Sequence, residues 1–347
     1  MYNKRQEAIL NFIKQHKNVS RMDIQEYISS FFDKTSKITL LRDIDLLIKD
    51  GFIVKSGNAK ATIYNMTPQS KLLEEINIED YFSKQTDDRE LVSSSFNFDI
   101  WNNLGNLLSE NEKKQLDALN KIYQEKRSKL SPTILRKELE RLTIELAWKS
   151  SRIEGNTYTL LDTERLIKDN VSASGKTKEE TQMIINHKKA LDYLIDNPKY
   201  YEEITIRKIE DIHRILVGDL QVSFGIRSSA VGIVGTNYKP LDNSFQITEC
   251  LKDLTDVINK TSNPLEKALI AVLMIAYIQP FEDGNKRTSR ILGNALLLAN
   301  DYCPLSYRSV DEVEYKKAII LFYEQNNAYY FKKLFIEQFT QAIEKYF

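Results

Sequence analysis

Only two cysteines, Cys250 and Cys303, occur in 347 residues. They have no spacing that suits a zinc site or a disulfide framework, so a reducing compartment is the simplest reading and both thiols are expected to be buried. Glycine (11) and proline (7) are scarce, which excludes collagen-like and low-complexity chains. Net charge is absent, with 49 basic against 49 acidic side chains; attraction to nucleic acid therefore needs a local patch. Long apolar runs are missing too. The longest, Ala268 to Ile278, falls short of the roughly 20 residues that a bilayer demands. The opening MYNKRQEAIL lacks the basic-then-apolar pattern of a signal peptide. The expectation is a cytoplasmic protein without membrane contact. Histidine is rare as well: His16, His187 and His213 are all there are, and each is read as structural.

What is present is the composition of a helix-rich folded chain, 42% apolar and 28% charged. The length favours two domains. In residues 1–67, Ala8, Ile9, Phe12 and Ile13 recur at helical spacing. Ser20 with Asp23 reads as a capping box for a second helix, and a third runs from about Ser36 to Asp50 and stops at Gly51. Phe52–Lys55 and Ala61–Tyr64, joined through Gly57-Asn58, read as a hairpin. Three helices and a hairpin are the winged helix-turn-helix plan. The third helix is then the recognition helix, with Ile38, Leu41, Ile44, Leu47 and Ile48 facing the core and Lys37, Thr39 and Arg42 facing outward. Lys55 and Lys60 of the hairpin suit backbone phosphates. The segment has 11 Lys/Arg against 7 Asp/Glu, which fits DNA as a partner. A winged helix used only for protein contacts is the alternative.

Residues 68–120 are polar and read as a connector with a helical lead-in; residues 121–347 read as one helical domain. Inside it, an apolar helix from Leu265 to Ile278 runs into Gln279-Pro280-Phe281-Glu282-Asp283-Gly284-Asn285-Lys286-Arg287-Thr288-Ser289-Arg290, and a second apolar helix follows. A polar, glycine-containing loop at a helix start aims free backbone N–H groups and the positive dipole end at an anion. Arg287 and Arg290 add forked contacts to phosphate oxygens, and Asp283 offers a hard oxygen to Mg²⁺. On these residues alone the loop reads as a polyphosphate site.

The loop resembles the Fic motif, His-x-Phe-x-(Asp/Glu)-Gly-Asn-(Gly/Lys)-Arg-x-x-Arg, matching at Phe281, Asp283, Gly284, Asn285, Arg287 and Arg290. The resemblance implies an all-helical Fic fold that binds ATP with Mg²⁺. In it Phe281 anchors the loop, Asp283 holds the metal, Gly284 and Asn285 cradle the inner phosphates, and Arg287 and Arg290 hold the outer ones. Gln279 stands where the family has its catalytic histidine, and an amide has no basic lone pair. Loss of a general base costs about 10²- to 10⁴-fold in rate. Lys286 matches Doc, a relative that transfers the terminal phosphate. Upstream, Ser150-Ser151-Arg152-Ile153-Glu154-Gly155 resembles the family's inhibitory motif near 145–156, which implies that Glu154 pairs with Arg290 and blocks the outer phosphate position. Residues Val231, Gly232, Ile233, Val234, Gly235 and Tyr238 resemble the flap, a small β-hairpin that docks a target segment by strand addition.

The expected protein is thus mostly α: a winged helix followed by a Fic domain whose implied reaction is transfer of AMP to a Ser, Thr or Tyr hydroxyl of an unidentified protein target. Two alternatives remain, a catalytically silent nucleotide-sensing regulator and a Doc-like phosphotransferase. Tyr329, Tyr330 and Phe331 suit either the core or a homodimer face.

Overall fold

The computed structural model describes residues 2–32, 35–58 and 61–346, and Lys60 lies outside them. Contacts divide the chain into two compact units, Met1–Glu75 with Asp99–Lys114, and Ile76–Phe98 with Gln115–Phe347. The expected connector is therefore shared between them.

In the first unit α1 (Lys4–Gln15), β1 (Val19–Ser20), α2 (Arg21–Phe31), α3 (Lys37–Lys49), β2 (Ile53–Ser56), β3 (Ile63–Met66) and α4 (Pro68–Leu72) follow one another. The helix starts are set by side chains: Asn3 and Ser20 form reciprocal capping boxes, and Ser36 accepts the Thr39 N–H. Gly51, at φ +78°, ends α3 in the left-handed region. β3 is the central strand of an antiparallel sheet of order β1-β3-β2, with Ser56 opposite Ile63. Ile9, Ile24, Ile44, Leu47 and Ile53 meet in one core. Ile38, expected there, is 65% exposed, and Leu40 takes its place. The reason is Asp43, buried with Arg5 and Gln6 as partners, which turns that face of α3 inward. Lys37, Arg42 and Lys55 are exposed, while Thr39 is bonded to its own cap residue, Ser36.

The second unit contains α5 (Ile78–Ser83), α6 (Glu110–Lys129, its first turn counted with the first unit), α7 (Pro132–Ile153), α8 (Leu160–Asp169), α9 (Lys178–Asp196) and α10 (Ile206–Val217). Then come α11 (Ser244–Lys260), α12 (Pro264–Ile278), α13 (Asn285–Ala299), α14 (Glu312–Gln325) and α15 (Tyr329–Tyr346). Every residue of α12 from Ala268 to Ile278 is buried. A helix apolar on all sides is stable only when wrapped by others, and α12 packs on α11, α13 and α14. Of the C-terminal aromatics, Phe331 is core and stacks edge-on against Tyr315. No described helix is long and apolar enough to cross a membrane.

The expected flap hairpin does not form. Across Val231–Tyr238 the described residues show a turn at Val234-Gly235 and no strand pairing. The backbone groups there go elsewhere: Arg89 donates to the Gly235 carbonyl, and Lys239 bonds Ser94 beside an isolated parallel bridge, Ser95 to Lys239. Tyr238, assigned to target docking, is instead buried, stacked on Tyr277 at 4.6 Å with its hydroxyl on the Tyr277 carbonyl.

The approach of α12 to α13 rests on Gly293, where an added Cβ would lie 2.8 Å from Val272 Cγ2. Valine is stiff at χ1 in a helix and Val272 is fully buried, so it cannot swing aside. Gly293→Ala is expected to lose about 1–2 kcal/mol despite alanine's better helix propensity. In a Val272→Ala background it should be neutral or stabilising. A double-mutant cycle by chemical denaturation measures this; equal costs in both backgrounds would refute the contact.

Candidate functional site

α12 ends at Gln279, whose left-handed backbone (φ 52°, ψ 59°) turns the chain out of the core. The loop is then braced by Asn285: its Oδ1 accepts the Phe281 N–H at 2.8 Å, and its Nδ2 donates to the Phe281 carbonyl and to Gln279 Oε1. Gln279 Nε2 donates to the Ala276 carbonyl at 2.6 Å, so both ends of this amide are engaged. Phe281 is buried and stacked on His213 at 3.7 Å and 9°. His213 Nε2 lies 3.0 Å from the Asp283 carbonyl and must carry the proton, because a carbonyl only accepts. Burial pushes His213 down to about 4. It is neutral at physiological pH.

Gly284 opens α13 at φ +79°, and a Cβ there would come within 3.1 Å of Val217 Cγ1; only glycine serves. No side chain caps this helix start, so backbone donors of the first turn stay open to an anion. Arg287 donates to Asp283 at 2.7 Å, and its Nη1 is buried without a hydrogen-bond partner. Asp283 is itself 66% exposed. A one-carboxylate site suits Mg²⁺, which is held by few protein oxygens together with phosphate.

Arg290 has no solvent contact. Its Nε donates to Ser150 Oγ at 2.8 Å, and its Nη2 donates to the Ser150 carbonyl at 2.9 Å and to Glu154 Oε1 at 2.8 Å. Lys286 Nζ reaches the other Glu154 oxygen at 3.2 Å. Burial pushes the Glu154 carboxyl up, but Arg290 and Lys286 together outweigh it and hold the group down at about 2. Gly155, at φ +96°, ends α7 just beyond. The proton directions behind Ser150 are fixed. His187 Nδ1 faces the Met183 carbonyl at 2.8 Å and must donate, leaving Nε2 to accept the Ser150 hydroxyl at 2.8 Å. Ser150 Oγ in turn accepts from Arg290. Burial drives His187 down to about 3, so the neutral form this chain requires is the one present.

The loop residues, Ser150 and Glu154 are thus brought together, whereas Lys37, Thr39, Arg42 and Lys55 belong to the other unit. In the sequence Arg227 stands out only in Gly225-Ile226-Arg227, which introduces the segment that resembles the flap, with no role of its own. It is buried, its Nε donates to the Gln279 carbonyl at 2.7 Å, and its own N–H bonds the Pro280 carbonyl. A lone arginine after Gly225-Ile226 carries no local pattern that signals this.

The Fic/DOC family model matches residues 203–297, a span that contains the whole loop. The chain carries a Fic/DOC domain. Protein adenylyltransferase fic-1 of Caenorhabditis elegans is 26% identical over 215 residues, covering 60% of this chain and 42% of that protein. Protein adenylyltransferase Fic of Drosophila erecta is 29% identical over 210 residues, covering 60% and 41%. The chain therefore spans about two fifths of the length of these curated relatives. Among solved structures, residues 134–508 of C. elegans Fic-1 superpose with TM-score 0.59 at 25% identity, covering 69% of this chain and 73% of that one. A Fic-domain signalling protein of Bacteroides thetaiotaomicron superposes with TM-score 0.56 at 21% identity, covering 67% and 94%, a likeness of fold alone. The mostly helical architecture is the Fic fold.

The depressed Glu154 carboxyl has a pH consequence. Its folded value of about 2 lies below the ordinary 4.5, so the ion pair's stabilisation is complete above about pH 4.5 and is lost as pH falls toward 2. Replacing Glu154 with Gln should lower Tm by about 5–10 °C at neutral pH, from a loss on the order of 3 kcal/mol. The gap between the two proteins should narrow in acid. A gap that is constant from neutral pH down to about 3 would contradict the assignment.

Proposed function

We propose that the Fic loop binds ATP with its phosphates along the start of α13, and that Glu154 restrains this binding by occupying the arginine a phosphate would use. The observation that carries the reading is Glu154 on the enclosed Arg290, 2.8 Å away. A carboxylate and a phosphate oxygen compete for one guanidinium, and only one can be seated. The uncapped helix start, Gly284 and the orphaned Arg287 Nη1 support an anionic ligand here. Asp283 is the group that would hold Mg²⁺, which would neutralise charge on the phosphates.

The reaction proposed is that of the adenylyltransferases it resembles: a protein hydroxyl attacks the α-phosphorus, an AMP–oxygen bond forms, and pyrophosphate leaves with the bond broken behind it. The hydroxyl proton needs an acceptor. Gln279 is not a base, and its amide is already tied to Ala276 and Asn285. That engagement favours a second reading, a nucleotide sensor with little transferase activity. Lys286, paired with Glu154, leaves a Doc-like transfer of the terminal phosphate as a further outcome of the same assay. For the first unit we carry forward DNA binding through the exposed Lys37, Arg42 and Lys55.

Incubation with α-labelled and γ-labelled ATP separates these readings. The Glu154→Gly form is expected to bind ATP by calorimetry. Label transfer in the Gln279→His background should rise about 10²- to 10⁴-fold over native Gln279. Transfer of α-label by the Gln279 form supports the enzyme, label only after histidine is installed supports the sensor, and γ-label supports phosphotransfer. No ATP binding by Glu154→Gly at millimolar concentration would end the nucleotide reading.

A further inference from the structure

Arg227 carries its charge into the core, at 2% exposure, without an ion pair among the described residues. Three backbone carbonyls on separate stretches meet it instead. Its Nε donates to Gln279 at 2.7 Å, its Nη1 to Ser229 at 2.5 Å and its Nη2 to Leu241. Hydrogen bonds of this kind offset the desolvation of a buried cation. Gln279 caps the C-terminal end of α12, where carbonyls lack intrahelical donors and the dipole favours a positive charge. Two neighbouring carbonyls are claimed from the same segment: Pro280 accepts the Arg227 N–H at 3.0 Å, and Tyr277 accepts the Tyr238 hydroxyl at 2.9 Å.

Ser229 and Leu241 bracket the stretch that resembles the flap, so one guanidinium seats both of its ends beside Gln279. The two halves of that stretch differ. Beyond the turn, Arg89 holds the Gly235 carbonyl at 2.6 Å, Asn237 donates to Asp87 at 3.0 Å, and the Lys239 N–H bonds Ser94 at 2.9 Å. Before the turn, the backbone groups of Ala230, Val231, Gly232, Ile233 and Val234 have no hydrogen-bond partner among the described residues. Ala230, Gly232 and Val234 are exposed. A row of open N–H and C=O groups is a template for pairing with another chain. The row starts directly after Ser229, whose carbonyl shares the guanidinium with that of Gln279.

We propose that Arg227 is a positioning residue for the transfer: it fixes where the open row at 230–234, and a protein segment paired along it, stands relative to Gln279 and the nucleotide loop. The proposal rests on the transferase reading above for the acceptor being a protein hydroxyl. Arg227 does no chemistry itself and acts through the carbonyls it holds. Lysine at this position keeps the charge, but a point charge on a flexible stem does not replace a planar fork that fastens three stretches at once.

The test uses the full chain carrying Glu154→Gly and Gln279→His, with Arg227 or with Arg227→Lys. Arg227 binds the main-chain carbonyl of residue 279, which the histidine substitution leaves in place. Transfer from α-labelled ATP is followed to two acceptors, N-acetyltyrosinamide, which is too short to lie along the row, and a longer peptide with tyrosine at its centre. In Arg227→Lys, kcat/KM for the peptide should fall about 10- to 100-fold relative to kcat/KM for the short acceptor, because misplacing a reacting group by about 1 Å costs that much. KM for ATP should be unchanged. A protein that merely unfolds loses both rates together, so the ratio isolates positioning. Equal losses on the two acceptors, or no loss on either, would overturn the proposal.

Hydrogen exchange on the same proteins reads the geometry without catalysis. The amides of Lys239 and Phe281, one on each stretch that Arg227 fastens, should exchange faster in Arg227→Lys, while the interior of α13 stays as protected as in the parent. Unchanged exchange at both amides would also overturn the proposal. A parent that binds ATP by calorimetry yet labels neither acceptor removes the transferase reading instead, and the exchange measurement still judges whether Arg227 sets the row against the loop.

Discussion

A guanidinium without any solvent contact must be neutralised where it stands, and the architecture around Arg290 is organised by that requirement. Enclosing the charge costs several kcal/mol unless an anion and good hydrogen bonds accompany it. Arg290 sits on the second turn of α13, held by Ser150 from the side and by Glu154 in front. Its geometry is fixed further back, where Met183, His187 and Ser150 pass hydrogen bonds in one direction. A protonated His187 would have no acceptor to offer Ser150, so the desolvation that keeps it neutral is part of how Arg290 is aimed. The place demands an anion, and Glu154 is the anion the chain supplies itself.

The loop between α12 and α13 owes its shape to a different set of contacts. Phe281 on His213 anchors it from below, and Asn285 closes it with three hydrogen bonds. Gln279 belongs to that brace. An imidazole at this position could not both donate to the Ala276 carbonyl and accept from Asn285 while also remaining free to take a proton, because it has two ring nitrogens for three tasks. The amide thus exchanges basicity for rigidity, and the loop is held in place by groups that do no proton chemistry.

How much of this could be read in the sequence depended on whether the signal was local. The capping box at Ser20 and Asp23, the left-handed stop at Gly51 and the loop from Phe281 to Arg290 are short-range patterns, each fixed by residues within a turn or two. Non-local pairing left no such trace. The segment Val231 to Tyr238 resembles a flap hairpin and is rich in β-branched residues, but no strand pairs across the turn. Its carbonyl at Gly235 is claimed by Arg89, about 146 positions earlier in the chain, and Tyr238 is drawn into an aromatic stack. The bracing role of Arg227 was illegible for the same reason, because its acceptors at Gln279 and Leu241 are remote. Ile38 was assigned to the core because helical periodicity tolerates a small rotation of the apolar face. The buried Asp43, with partners on α1, decided which rotation occurs.

On the competition proposed above, the energetics of the Glu154 contact set the scale of the restraint. A contact worth on the order of 3 kcal/mol lowers the apparent affinity of a competing ligand by about a hundredfold, because only the open fraction can bind. A nucleotide at a concentration well above its intrinsic Kd can repay that, so the contact acts as a threshold and not as an absolute block. Its carboxyl, held at about 2, stays ionised throughout the physiological range, and pH therefore cannot open it. The helix that carries it is held elsewhere as well: α7 is fastened to the start of α14 by Lys149 and Arg152, which share Glu312 at 2.7 and 3.1 Å. Lys149 and Arg152 thereby tie the C-terminal part of α7, the stretch that presents Ser150 and Glu154 to Arg290, to a second helix besides α13.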